Sequence, residues 1–204
     1  MPVAPAEVSW VIRQGRTFRY VVRPEKLPIV YKPITGIAQV APVSITALGH
    51  GLATEWSAAV TNVKGMTQLN AVANALKSTD FRPVTVVDPN TITFNAIDAS
   101  GFSPYVSGGY LVYYTPASLS GAVARLDLRD KVGGTLLYTM SSTIGNLTID
   151  DANHFIGVEI PAVDSTAFTF RSAVGDLEVQ YTDGTVEQLL DIEVEVDTEV
   201  TTSG

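Results

Sequence analysis

The stretch DLEVQYTDGTVEQLLDIEVEVD, residues 176–197, decides the fold class. Apolar and polar residues alternate on both sides of Asp183-Gly184, which is the period of an extended strand and not of a helix. A tight hairpin wants positive φ at its turn, and Asp-Gly supplies it. In the second half, Asp191, Glu193, Glu195, Asp197 and Glu199 fall on one strand face, with Ile192, Val194 and Val196 on the other. Working outward, the same period runs through most of the chain. Residues 8–12 (VSWVI) and 16–22 (RTFRYVV) flank Gln14-Gly15 and read as a hairpin. Further strands are expected at 43–46, 84–87, 91–97, 110–115, 122–128, 135–140, 147–149 and 154–160. Turn chemistry separates them at Asp88-Pro89-Asn90, Gly133-Gly134 and Gly145-Asn146. Short strands at such spacing indicate a sandwich or small barrels. One stretch departs: in 66–77 (MTQLNAVANALK), Met66, Leu69, Val72, Ala73 and Leu76 recur at intervals of three and four, which predicts one short helix. A second helical turn is expected after Pro161, in PAVDSTAF.

Composition bounds the function. The chain has 204 residues, enough for one ordinary domain or two small ones, and buries roughly 70% of its unfolded surface without needing a staple. Charged residues make up 17%, below the roughly 25% of an ordinary soluble domain, which suggests a surface partly covered by partners. The net charge of -8 opposes a phosphate backbone, so no nucleic-acid partner is expected. Cysteine is absent, which removes disulfides, thiolate metal sites and a cysteine nucleophile. The opening MPVAPAEVSWVIRQ does not read as a signal peptide, and no apolar window approaches the roughly 18 residues of a membrane span.

Charge also divides the chain. Residues 33–115 are nearly uncharged, whereas the flanks carry alternating charges, and Pro33 and Pro116 bracket the middle. The middle stretch contains PITGIAQVAPVSITALGHGL (33–52), VKGMTQLN (63–70), VTVVDPNTITFNAIDASGF (84–102) and YVSGG (105–109). It resembles a small β module that recurs in phage tail and virion proteins, similar to the first catalytic cysteine half-domain of ubiquitin-activating enzymes. The segment AVANALKSTDFRP after Asn70 is longer than in that pattern. The flanks, with RQGRTFRYVVR (13–23), LSGAVARLDLRDKVGGTLLYTMSS (119–142), NLTID (146–150), DSTAFTF (164–170) and the 176–201 hairpin, resemble phage tail or baseplate proteins. The shared body of those proteins is a β-sandwich like the N-terminal domain of siphophage upper baseplate proteins. The resemblance implies an all-β chain: an Ig-like β-sandwich body of residues 1–32 plus 117–204, with a small β-barrel carrying one short helix inserted as residues 33–116. Closing a longer loop costs only about 0.6 kcal/mol per doubling, so such an insertion is cheap.

The search for chemistry is mostly negative. Phosphate-loop, dinucleotide, zinc-protease and nucleophile-elbow motifs are absent from the sequence, and only His50 and His154 offer a base. His50, in GHGL, reads as a turn residue between two glycines, with a base or ligand as the rival reading. His154 follows Asp150, Asp151 and Asn153, which reads as a polar turn; the rival is a hydrated cation, although the spacing is not that of an EF-hand. The acidic face of the last strand reads as a solvated face that discourages edge pairing, or as a dock for a basic patch on a neighbour. Arg19 and Arg23 share a parity and are expected to pair with that strand, in the same sheet or in a neighbouring copy. Phe102, Tyr105, Tyr110, Tyr113 and Tyr114 read as alternating core and interface residues, or as a sugar platform. Asn146-Leu147-Thr148 matches a glycosylation sequon, which carries no weight without a leader.

Taken with the resemblance, the expectation is a non-enzymatic virion protein of the tail or baseplate region, made in the host cytoplasm and present in several symmetric copies. Its expected partners are other virion proteins, with no cofactor, metal or membrane. The candidate interface residues are Arg19, Arg23, Tyr105, Tyr110, Asp191, Glu193, Glu195 and Asp197. The rivals are a capsid decoration or neck protein, and a module that binds a cell-surface glycan.

Overall fold

The computed structural model describes residues 5–72 and 76–198. Its strands are β1 (Ala6–Arg13), β2 (Phe18–Val22), β3 (Glu25–Pro33), β4 (Gly36–Ala38), β5 (Val43–Thr46), β6 (Ser57–Thr61), β7 (Arg82–Pro83) and β8 (Thr85–Asp88). They continue with β9 (Thr91–Phe94), β10 (Tyr110–Pro116), β11 (Val123–Arg129), β12 (Leu136–Ser141), β13 (Leu147–Asp150), β14 (Phe155–Ile160), β15 (Ser172–Gln180) and β16 (Val186–Asp197). Among the described residues the chain is all-β, with one short α-helix, α1 (Ala162–Thr166), directly after Pro161 where the sequence places it. No helix among the described residues is long and apolar enough to cross a membrane.

Two compact units divide the chain at Pro24/Glu25 and at Ala117/Ser118. The first unit is discontinuous in sequence and holds two sheets, ordered β1-β16-β15-β11-β12 and β13-β14-β2. Its core gathers Trp10, Ile12, Leu126, Leu128, Met140 and Ile156 among others. The β15–β16 hairpin turns at Asp183-Gly184, with Gly184 at φ 87°, and β11–β12 turns through Gly133 at φ 70°. β1 closes the large sheet by running parallel to β16, from Ala6 opposite Leu190 to Arg13 opposite Asp197.

The expected first hairpin does not form. β1 belongs to the large sheet, while β2 pairs with β14 in the small one, so the Gln14-Gly15 turn crosses between sheets. Side chains, not ladder bonds, join the two strands: the Trp10 ring lies 5.0 Å from Phe18 and 5.2 Å from Tyr20. Gln14 holds the crossing, its backbone N–H donating to the Asp197 carbonyl at 2.8 Å and its side chain to the Phe168 carbonyl at 3.0 Å.

The second unit holds two four-stranded sheets, β3-β10-β6-β7 and β4-β5-β9-β8, around one core that includes Ile45, Trp56, Met66, Ile92 and Leu111. It begins at Glu25 where the sequence marks Pro33, because β3 pairs along its length with β10. The helix expected over 66–77 is a single 3-10 turn at Thr67–Leu69 among the described residues; Ala73 lies outside them. Met66 is buried and Leu69 packs on the core, but Val72 is 99% exposed, so no helical stripe faces the interior.

Candidate functional site

The acidic strand lies inside the large sheet, not at its edge. β16 sits between β1 and β15, so its carboxylates do not guard an open edge. Asp191, Glu193, Glu195 and Asp197 are exposed, and Ile192, Val194 and Val196 are buried, as alternation requires. Glu199 lies outside the described residues.

Strand order extends this face beyond β16. Glu7 of β1 stands opposite Asp191, Asp191 opposite Asp176 of β15, and Asp176 opposite Asp127 of β11. Four carboxylates thus form one row across four strands, and a cavity of about 830 Å³ opens over them, walled on one side by Lys131, Val132 and Gly133 of the β11–β12 turn. Gly175, beside Asp176, permits this close approach: a Cβ there would come within 2.7 Å of the Asp127 carbonyl oxygen.

The row is unevenly neutralised. Asp127 accepts from Arg129 at 2.9 Å and from Thr139 at 2.7 Å, and Glu178 pairs with Arg125 at 2.6 Å. Asp176 is the least favoured charge. Burial raises its carboxyl above the ordinary aspartate range, and the like charges of Glu178, Asp127 and Asp191 push it the same way. A raised folded-state pKa gives stability that is fully present in acid and lost as pH climbs through that pKa, so at neutral pH the Asp176 charge costs stability. Asp176→Asn is therefore expected to raise the melting temperature at pH 7 by roughly 1–2 °C. That gain should shrink as pH falls toward the unfolded aspartate pKa of about 3.9 and vanish about one pH unit below it, where the carboxyl is protonated in both states. Calorimetry at the two pH values checks this, and an unchanged melt at pH 7 refutes it.

Arg19 does not meet the acidic strand. Arg19 on β2 pairs with Glu159 on β14 at 2.9 Å, in the small sheet. Arg23 lies over the Phe155 ring, 5.7 Å from its centroid. The partner of Asp197 is Arg13, at 3.9 Å, and both side chains are exposed.

The aromatic residues of the second unit also separate. Tyr113 is buried, donates its hydroxyl to the His50 carbonyl and is pushed up to about 12 by that burial. Tyr105 packs on the core with its hydroxyl 3.1 Å from the Ile34 carbonyl oxygen and 3.2 Å from that of Gly108. Tyr110 is exposed and meets Tyr31 edge-on, at 6.1 Å and 82°, while Tyr114 lies 5.4 Å from Phe81. Tyr105 and Tyr110 therefore do not share a flat platform. The pairing of Tyr110 with Tyr31 was not legible from residues 102–114, since Tyr31 comes from β3.

Both histidines serve turns. His50 Nδ1 accepts from the Leu52 N–H and its Nε2 donates to the Asp88 carbonyl, each at 3.0 Å, which places the proton on Nε2. The positive φ falls on Gly49 and Gly51, not on His50. His154 does take a positive φ, of 53°. Its neighbour Asp150 accepts from Asn153 through both oxygens, at 2.9 and 2.8 Å, and those bonds hold its carboxyl below the ordinary range. Asp151 accepts from the Leu119 N–H instead. Among the described residues no group of three or more histidine or carboxylate side chains stands close enough to hold a metal ion.

No protein-family model matches the chain, and no curated protein matches it. Two surfaces therefore carry the functional argument: the acidic face of the large sheet, and the aromatic strip of β3 and β10.

Proposed function

We propose that the chain is a structural component of a tailed-phage virion, seated in the tail or baseplate region and acting through protein–protein contacts. The observation that carries this reading is the apolar strip on the charge-poor unit. Ile29 stands opposite Tyr114 and Tyr31 opposite Val112, with Tyr110 next along β10, all on one face of the β3–β10 pair. Tyr31 is 56% exposed and Tyr110 40%, and Leu27 farther along β3 is 67% exposed. Exposed aromatics that adjoin one another mark a surface that another protein covers, and Tyr is enriched in such contacts. The sandwich body interrupted in sequence by a second β unit also fits the arrangement that the phage resemblance implies. On the body, the acidic face is complementary to a basic patch on a neighbouring virion protein. Symmetric copies let modest contacts add through avidity.

The test is to locate the chain in purified particles by mass spectrometry and by antibody labelling in the electron microscope. Label at the tail or baseplate is expected. Label on the head transfers the chain to a decoration or neck role, and absence from particles overturns the reading.

A further inference from the structure

We propose that two copies of this chain join by antiparallel pairing of β1 with β1, centred on Trp10. The inference rests on the edge itself and holds whether or not the chain is a virion component. β1 is an edge strand of the large sheet, eight residues long, in unbroken register with β16 and without a proline. Sheets protect their edges with short strands, prolines, bulges or covering groups. The other edges have such protection. β3 carries Pro28 and Pro33 and meets a register shift, and β7 is two residues long and contains Pro83. β2, β4, β8 and β13 run to five residues or fewer. β12 is covered by Asn146, whose side chain accepts from the Ser141 N–H at 2.8 Å and donates to the Thr139 carbonyl at 3.2 Å.

The direction of the β1 backbone fixes which groups remain open. The Gln14 N–H donates to the Asp197 carbonyl, so the even-numbered residues of β1 turn their backbone groups toward β16. Glu7, Ser9, Val11 and Arg13 then turn theirs outward. Among the described residues, no partner takes the outward groups of Ser9 or Val11. Val11 is also 54% exposed.

An antiparallel pair centred on Trp10 satisfies this pattern and the side chains together. It sets Ser9 against Val11 of the second copy, two outward-bonding residues that exchange backbone hydrogen bonds, and Glu7 against Arg13 of the second copy, where the outward Arg13 carbonyl already accepts from the Arg16 N–H at 3.1 Å and the side chains supply the attraction. The same register puts Glu7 beside an arginine twice, once in each half. In one copy Glu7 faces only the like charge of Asp191 across the ladder, so the second copy's arginine relieves a repulsion. On the inner face, half-buried Val8 gains Ile12 of the second copy as a cross-strand neighbour.

Sedimentation velocity of the 204-residue chain over a concentration series tests the pairing. The wild-type chain is expected to reach twice its 21.7 kDa mass. Glu7→Arg and Arg13→Glu should each raise the dimer dissociation constant about tenfold, and the double variant should restore it, because the swapped charges again oppose. Val11→Pro removes only an outward N–H and should abolish the dimer with little change in the thermal melt. A chain that stays monomeric up to about 1 mM overturns the proposal. So does a dimer that neither the charge reversals nor the proline weakens, or one that the double variant fails to restore.

Discussion

Replacing Trp56 with alanine is expected to lower the melting temperature of residues 25–117 by about 15–30 °C while the first unit keeps its own. Trp56 is fully buried in the second core, packed among groups such as Ile45, Ile92 and Leu111, and its indole N–H donates to the Tyr114 carbonyl at 3.2 Å. Truncating a buried tryptophan costs roughly 3–5 kcal/mol, and the deserted carbonyl adds to that. For a unit of this size the loss is a large share of the total stability. The chain holds two tryptophans, one in each core, so Trp56→Ala leaves Trp10 as the sole fluorophore of that type. Circular dichroism should show an early transition, and Trp10 fluorescence should report a later one close to the wild-type value. A single transition displaced as a whole would show that the two cores melt as one.

What was legible in the sequence was alternation and turn chemistry. The parity of Ile192, Val194 and Val196 predicts their burial, and Gly184 turns the hairpin in which they lie. What was not legible was whether a turn stays within its sheet. Gln14-Gly15 and Gly145-Asn146 look like Asp183-Gly184 in composition, yet both carry the chain from one sheet to the other. The difference lies in partners far along the chain: β1 finds β16, and β2 finds β14. Local pattern cannot specify such pairings, because the hydrophobic alternation of β1 suits either neighbour. The candidate site divides in the same way. Asp191 to Asp197 could be read from one strand, but Glu7, Asp176 and Asp127 join the row only once strand order is known. The short helix fails for a different reason. Met66 and Leu69 reach the core from the two ends of a single 3-10 turn, and two such contacts mimic an α-helical interval without requiring an α-helix. β3 escaped notice because its prolines and charges obscure the alternation, yet a proline is tolerated at a sheet edge.

The position of β3 gives the second large effect. Excising residues 25–117 and bridging Pro24 to Ser118 with a short glycine-serine linker is expected to leave a folded, cooperative sandwich. The geometry favours a short bridge: Glu25 stands opposite Pro116 and Lys26 opposite Thr115, so the chain enters and leaves the second unit on neighbouring strands roughly 5 Å apart. The body then retains its core of Trp10, Ile12, Leu126 and Met140 and the parallel β1–β16 pair, and Trp10 fluorescence should stay that of a buried indole. Cutting at the prolines instead, by removing residues 34–115, leaves β3 without β10 and exposes Ile29, Val30 and Tyr31 on an unpaired strand. That variant is expected to aggregate on warming, because an unpaired apolar strand is a template for other chains. Dichroism and light scattering on both deletions separate the outcomes. If the 25–117 deletion is unfolded, the body is not independent of its guest; if both deletions behave alike, the boundary at Pro24/Glu25 is wrong. The contrast between the two variants tests the boundary because they differ by so little: the retained strand Glu25–Pro33 and its immediate flanks.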